Sequence, residues 1–572
     1  MKRFAPILIA LMLVPPAVYA ADERTTTDAA AAAASRSIAV LDQKVDMASQ
    51  AQFVRKKRTK RATFEVMAAP PQAALPEKKL FISHINITGN TVMSDEVFRS
   101  LAARYENREC SLRELEPLVT DISRLYQEAG FLTSFAYVPV QKIENGALEI
   151  RVVEGKVGDF IVEGTRYTSP RRILAYNHLR SGAVLRDSDL RRTYRSMNEA
   201  RNRTVKISFR KGTKPETTDI LFRVRDRLPL YAMFSYDNEG VETSGKQRFT
   251  FNVAHINLLG RDDQLSVGTV FGKRFGYVFT QYIFPVPQTG TQWIAGFSHG
   301  QSTPMKELSP YGINSISQTY YAKINQSIWE KRDIHITMQG GLEFYDSRQK
   351  VMGGTYRRER LRILEWAPRV VFQDRFGGWS MVNQEFSFGL GLFGASTYVD
   401  PGATRQNVKP QFFRYRSSFF RAQKLFWGTQ AHLIFQSQCS SRKLPSREQM
   451  ELGGATSIRG YPEGDFLADT GARWTLEYLV PLFLIPADWK LPYSDLPLRK
   501  QIQGVAFMDE GYGTAHGASG QYKRHLFGLG GGLRVRLWDN LYARTEWAHA
   551  VGDGPISGPD TSAFYFRLQA EH

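Results

Sequence analysis

Cysteine is nearly absent: Cys110 and Cys439 are the only two in 572 residues, and they lie far apart in sequence. That excludes a disulfide framework and a metal site built on thiolates. Long apolar runs are missing too. After Ala20 no segment approaches the ~20 uncharged residues of a spanning helix, so the mature chain can cross a membrane only as a closed β-barrel. No H-E-x-x-H or G-x-S-x-G occurs, and the ten histidines are scattered. Gly240 to Gln247 nearly matches a phosphate-binding loop, but Gln247 stands where Ser or Thr must ligate magnesium, and the stretch lies between strand-like segments. Gly528 to Gly532 sits inside an alternating strand, where glycines more often ease curvature or packing than bind a dinucleotide. No enzymatic activity, cofactor or metal is therefore expected. Acidic residues are outnumbered, 56 Asp and Glu against 75 Lys and Arg, for a formal net charge of +19. This excess suits nucleic acid, anionic lipid or an acidic client alike. With no basic helix interleaved with aromatics and no zinc-finger spacing, nothing supports a nucleic-acid partner.

What is present begins with a leader. Lys2 and Arg3, the apolar run Ile7 to Val14, and Val18-Tyr19-Ala20 ahead of Ala21 read as a secretory signal over 1–20, so the mature chain leaves the cytoplasm. Residues 21–51 are Ala-rich, with Asp28 as a candidate N-cap. A helix of about 20 residues there would measure roughly 30 Å, the height of a barrel lumen. A solvent helix or plain linker fits the same composition. The basic run Arg55 to Arg61 and the Pro/Ala stretch Ala68 to Pro76 make 52–79 a flexible linker.

Two α+β units follow, 80–155 and 156–227. In the first, Phe81 to Ile87 is strand-like, Asp95 to Tyr105 helical, and Ser111-x-x-Glu114 is a capping box for a second helix bearing Leu115, Leu118, Val119, Ile122 and Tyr126, with Pro117 near its start. Phe131 to Ile143 and Ala147 to Val153 are extended, with Asn145-Gly146 as a two-residue hairpin signal. The β-α-α-β-β order recurs with Val157 to Glu163, a helix after Ser169-Pro170, a helix Asp187 to Ala200, and strands Val205 to Arg210 and Asp219 to Arg225.

Across 228–572 helical periodicity gives way to dyad alternation, as in Ile334-Ile336-Met338 against His335-Thr337-Gln339. About sixteen such segments can be placed, at the spacing expected for membrane-spanning strands. A soluble sandwich would alternate too. The leader, the aromatics near segment ends and the even strand number favour a transmembrane antiparallel β-barrel.

One stretch, Met450 to Gly464 (MELGGATSIRGYPEG), fits neither a surface loop nor a strand: glycines free its backbone while Ile458, Arg459, Gly460 and Tyr461 place one charge among apolar bulk. Further on, Phe507-Met508-Asp509-Glu510-Gly511 offers a carboxylate from an alternating segment. Together these motifs resemble those of the two-partner secretion transporters (TpsB proteins), relatives of the BamA insertases. The run Tyr126 to Gly155, with Gly130-Phe131, Pro139 and Val153-Glu154-Gly155, looks like the first POTRA domain of that family.

The resemblance implies an outer-membrane barrel of a Gram-negative bacterium, two periplasmic POTRA domains, and an N-terminal helix plugging the pore. The sixth extracellular loop would fold into the barrel, pairing Arg459 with Asp509 on the wall, beside Phe507 and Gly511. The implied function is secretion of a large β-helical exoprotein, an adhesin, haemolysin or similar, without nucleotide hydrolysis. Outer-membrane lipid, periplasmic chaperones and the barrel-assembly machinery are the other implied partners. A BamA-like insertase is the alternative, although insertases usually carry more POTRA domains; an outer-membrane barrel hydrolase would need a catalytic cluster that no motif supplies. The ending Ala570-Glu571-His572 departs from the aromatic terminus usual in the family.

Overall fold

The structure, a computed structural model, describes residues 79–572 apart from 144, 201, 332, 398–404, 406–407, 493, 495, 518–519 and 539. The expected signal peptide 1–20, plug helix 21–51 and all of linker 52–79 except Lys79 lie outside the described residues.

The first α+β unit contains β1 (Lys79–Ile82), β2 (His84–Thr88), α1 (Asp95–Ala102), β3 (Arg108–Ser111), α2 (Glu116–Glu128), β4 (Phe135–Tyr137) and β5 (Ala147–Val153). β2 runs parallel to β5 and β4 antiparallel on its other side, while β3 pairs with β1, a ladder that sequence pattern did not suggest. The apolar stripe of α2 (Leu118, Val119, Ile122, Tyr126) is buried against Phe98, Leu148 and Ile150. Ser111 caps as expected, its Oγ accepting the Glu114 amide at 3.3 Å, but the first turn is 3₁₀. Pro117 occupies the first turn of α2, where no amide donor is needed.

The long strand expected over Phe131 to Ile143 is only three residues, because Pro139 has no N–H to donate. Beyond it a side chain substitutes for the ladder: Gln141 Nε2 donates to the Glu149 carbonyl (2.7 Å) and its Oε1 accepts the Glu149 amide (2.8 Å). Asn145 and Gly146 turn with φ of 54° and 75°, yet their carbonyls hold Ser83 and the turn closes no two-residue hairpin.

The second unit comprises β6 (Lys156–Glu163), α3 (Pro170–Leu174), α4 (Asp187–Met197), β7 (Arg203–Lys211) and β8 (Thr217–Asp226), with sheet order β6-β8-β7. Ser169 Oγ accepts the Arg172 amide at 3.3 Å, which starts α3 at Pro170. This unit docks on the barrel's near-side turns. Arg172 and the buried Arg203 both pair with Asp262, and Gln288 Nε2 donates to the carbonyls of Ala175 and Asn177.

The barrel opens with β9 (Leu230–Asp237), β10 (Arg248–His255), β11 (Gln264–Gly272), β12 (Phe275–Val286), β13 (Thr291–Ser302) and β14 (Asn314–Lys331). It continues through β15 (Ile334–Val351), β16 (Gly354–Gln373), β17 (Trp379–Gly389), β18 (Phe413–Lys424) and β19 (Gln430–Ser440). The loop after β19 carries the small hairpin β20 (Met450–Leu452) and β21 (Phe466–Ala468). Strands β22 (Thr470–Pro481), β23 (Ile502–His516), β24 (Gln521–Leu537), β25 (Leu541–Ala550) and β26 (Ser562–Glu571) complete a closed ring of sixteen.

Dyad alternation sorts the two faces as the physics of a spanning barrel requires. Phe249, Phe251 and Val253 face outward and are exposed, whereas Lys323, Glu343 and Glu365 form ion pairs inside. The seam between β26 and β9 has five paired residues, from Arg567↔Asp237 to Glu571↔Met233. Asn238 prolongs it with its side chain, donating to the Phe564 carbonyl (2.8 Å) and accepting the Phe566 amide (2.9 Å). Ala570 and Glu571 belong to this seam, and the His572 amide donates to Ala232 at 2.9 Å.

Candidate functional site

Residues 441–469, between β19 and β22, fold inward rather than away from the barrel. The hairpin of β20 and β21 stiffens the limbs, and Leu452, Ile458, Tyr461 and Phe466 pack with Leu526 and Ala550 of the wall. Gly460 at the tip has φ of 98° and lies so close to the wall that a Cβ would meet the Ala550 amide at 2.7 Å. Wall glycines make room in turn. A Cβ on Gly528 would meet the Arg459 carbonyl at 2.0 Å, and one on Gly511 would meet Ile458 Cδ1 at 2.2 Å.

At the tip Arg459 is buried. Its Nε donates to Asp509 Oδ2 (2.7 Å) and Nη2 to Oδ1 (2.9 Å), a two-point grip that the Arg459 amide reinforces with a 3.0 Å bond to Oδ2. Its guanidinium carbon lies 3.3 Å from the centroid of the Phe507 ring, a cation–π contact. Ile458 and Tyr461 are fully enclosed; Tyr461 Oη accepts the Phe527 amide at 3.2 Å. Tyr565 Oη accepts the Gly460 amide (3.1 Å) and donates to the Tyr461 carbonyl (3.2 Å). All seven residues singled out in the sequence thus meet at one place.

The pair is part of a larger network. Arg459 Nη1 also donates to Glu477 (3.0 Å) and Glu546 (2.9 Å), and Arg534 spans the same two carboxylates with bonds of 2.6 to 3.0 Å. Arg544 lies 3.9 Å from Glu546. Arg459 and Arg534, together with Arg544, which Glu239 holds more closely, offset these three acids, and each acid is held by more than one charged donor or by a main-chain amide. Such balance matters, since taking an unpaired charge out of water costs several kcal/mol. Glu477, Arg534, Glu546 and Tyr565 were not singled out from sequence. Their signal was parity: each occupies an inward position flanked by outward ones, as Arg534 does between Leu533 and Val535.

The loop's root has its own hub. Asp469 accepts two bonds from Arg405 (2.6 and 3.1 Å) and the amides of Leu444 (3.0 Å) and His516 (2.8 Å), and Glu448 pairs with Arg414 of β18. The arrangement is a lumenal obstruction fixed by charge pairs.

Comparison with known proteins gives this geometry a family. Residues 216–535 match the haemolysin secretion/activation protein family ShlB/FhaC/HecB, and residues 80–155 match the ShlB-type POTRA domain. The outer membrane transporter CdiB of Dickeya dadantii is 23% identical over 546 residues, 92% of each chain. The heme/hemopexin transporter protein HuxB of Haemophilus influenzae is 21% identical, covering 73% of this chain and 75% of its own. Among solved structures, CdiB from Escherichia coli superposes with a TM-score of 0.69 at 19% identity, covering 94% of this chain and 98% of its own. BamA from Haemophilus ducreyi, lacking POTRA domains 1-3, shares the fold with a TM-score of 0.55 at 14% identity, over 86% of this chain and all of its own. The chain belongs to the ShlB/FhaC/HecB family, and is a two-partner secretion transporter of the outer membrane with its POTRA domains in the periplasm.

Proposed function

We propose that the transporter captures one unfolded exoprotein on its POTRA domains and passes it through the barrel without nucleotide hydrolysis. Ile458, Arg459, Gly460 and Tyr461, held by Phe507, Asp509 and Gly511, form the movable stop in this reading. The observation that carries it is the loop itself, lodged in the lumen and gripped at its tip by ion pairs to the wall. Edge strands such as β7 can take an extended client by main-chain hydrogen bonds. The client is a large β-helical exoprotein, in keeping with relatives named as transporters. The BamA-like insertase is the weaker reading, because the chain falls in the secretion family.

The test removes residues 80–225 and follows both barrel assembly, as heat-modifiable migration, and release of a co-expressed client. Assembly should persist while secretion stops. Secretion that continues would place recognition elsewhere.

A further inference from the structure

The outer wall of β15 and β16 carries an unusual set of charges just above its apolar band. On β16 the odd positions Leu361 and Ile363 are 1% exposed and face inward, while Leu364 and Trp366 are 42% exposed on the lipid side. Arg358, Arg360 and Arg362 share the parity of Leu364, so they too face outward. On β15 the outward parity holds Phe344, Asp346 and Arg348, since Glu343, Tyr345 and Gln349 are buried inside.

Register fixes the height of these side chains. Phe297, Tyr320, Phe344 and Arg362 occupy one continuous row across β13 to β16. Aromatics in such a row on the outer wall, with Tyr320 the most exposed, mark the level where acyl chains meet headgroups. Two and four residues farther along the strands, roughly 7 and 14 Å measured along the tilted strand from the aromatic row, come the pairs Asp346↔Arg360 and Arg348↔Arg358.

The charges there are not balanced. Asp346 is ion-paired with Arg362 at 2.6 Å, which leaves Arg348 and Arg358, directly opposite each other, with no acidic partner among the described residues. Like charges opposed across a ladder destabilise it. Arg360 Nε is buried without a hydrogen-bond partner among the described residues. Beside these arginines the chain after β17 turns back along the wall. The Leu390 amide donates to Arg362 and the Ser396 amide to Arg360, while the exposed Leu392 and Phe393 lie on the lipid side, with Phe393 5.9 Å from Phe344.

We propose that Arg348, Arg358 and Arg360 bind a phosphate of lipopolysaccharide in the outer leaflet, with Leu392 and Phe393 against its acyl chains. A dianionic group between the opposed guanidiniums removes their repulsion and accepts their hydrogen bonds, and the apolar pair sits on the hydrocarbon side of the cluster. A plain anionic phospholipid offers the charge without the paired phosphates and many acyl chains of a glycolipid.

The test titrates full-length protein in detergent with bisphosphorylated lipid A, the same lipid A stripped of phosphate, and phosphatidylglycerol, counting bound lipid by native mass spectrometry. The bisphosphorylated form should bind about tenfold more tightly than the stripped one, the size expected of one or two charge-assisted hydrogen bonds. Arg348→Gln combined with Arg358→Gln, at exposed positions and checked for folding by heat-modifiable migration, should abolish that preference. Lys523→Gln, exposed on β24, should keep it. The proposal is overturned by equal binding of the two lipid A forms, by an unchanged preference in the double variant, by loss of preference in Lys523→Gln, or by phosphatidylglycerol binding as tightly as lipid A.

Discussion

Arg447 of the lumenal loop is ion-paired with Glu343 of β15, Nη2 to Oε1 at 2.7 Å, with its guanidinium 4.1 Å from the centroid of the Tyr345 ring. Glu546, which helps hold Arg459, is on β25, eight strands away in the ring of sixteen. The loop is therefore tied to opposite walls of the bore. Swinging it aside requires both of these ties to give, together with the Glu448–Arg414 pair nearer its root.

Cutting the Arg447 tie should loosen the loop without freeing its tip. Arg447→Ala or Glu343→Gln should increase the frequency of channel openings in a planar bilayer several-fold while secretion continues, because Arg459 keeps its four main partners. Traces indistinguishable from wild type would mean that the Arg447 limb does not restrain the loop.

The network around Arg459 makes its two obvious truncations unequal. Arg459→Ala strips a partner from Asp509, Glu477 and Glu546 together, whereas Asp509→Ala leaves Arg459 two carboxylates. Breaking a buried pair costs about 3–5 kcal/mol. Secretion should fall close to zero in Arg459→Ala and less far in Asp509→Ala, with assembly retained in both, and the double variant should lose less than the sum of the singles. Arg459→Lys should recover only part, since an ammonium lacks the planar fork. Quantified client in culture medium decides it; strictly additive losses would show that the two side chains do not act together.

Much of this was legible in sequence because barrels and small α+β units announce themselves by period. Ile334 to Phe344 alternates with a strictness that only a two-faced strand needs, and the Arg459 and Asp509 motifs stood out against it. What escaped were relations that depend on register. Nothing local in Glu477, Arg534 or Glu546 distinguishes them from other wet-face charges until β22, β24 and β25 are set side by side. The β3 ladder escaped for a similar reason: Arg108–Ser111 is four residues with two charges and pairs with β1 rather than a sequence neighbour.

Gly528 gives a test of loop placement that touches no charge. A methyl there would stand 2.0 Å from the Arg459 carbonyl, a backbone atom that cannot swing away as a side chain can. Gly528→Ala should push the tip off the wall and open the Arg459–Gly460 bond to trypsin added outside intact cells. Gly340→Ala, whose new methyl would find its nearest neighbour at 3.6 Å, should leave the loop resistant. If Gly528→Ala is as resistant as wild type, the close approach does not position the tip.

The first POTRA domain offers a pH-dependent test far from the barrel. Glu154, in the Val153-Glu154-Gly155 run, is buried and accepts the amides of Thr91 (2.7 Å) and Val92 (2.9 Å), the Thr91 hydroxyl, and Tyr126 Oη (3.0 Å). Burial alone would raise its pKa, but these donors outweigh it, led by the Thr91 hydroxyl, and hold the carboxyl below its ordinary value. Burial and the Glu154 carboxylate push the Tyr126 hydroxyl well above the usual tyrosine range, so it stays a donor throughout the experiment. A folded-state pKa below the unfolded one stabilises the fold fully above the unfolded value and loses that contribution as pH falls through the folded value. Hydrogen exchange on full-length protein, corrected for intrinsic rates, should therefore show protection at Thr91, Val92 and α2 falling as pH drops from about 5 toward 3. Glu154→Gln should lower protection at neutral pH, by about 1–3 kcal/mol for the lost charge-assisted bonds, and flatten the acid limb. An acid limb equally steep in wild type and Glu154→Gln would show that another group controls it.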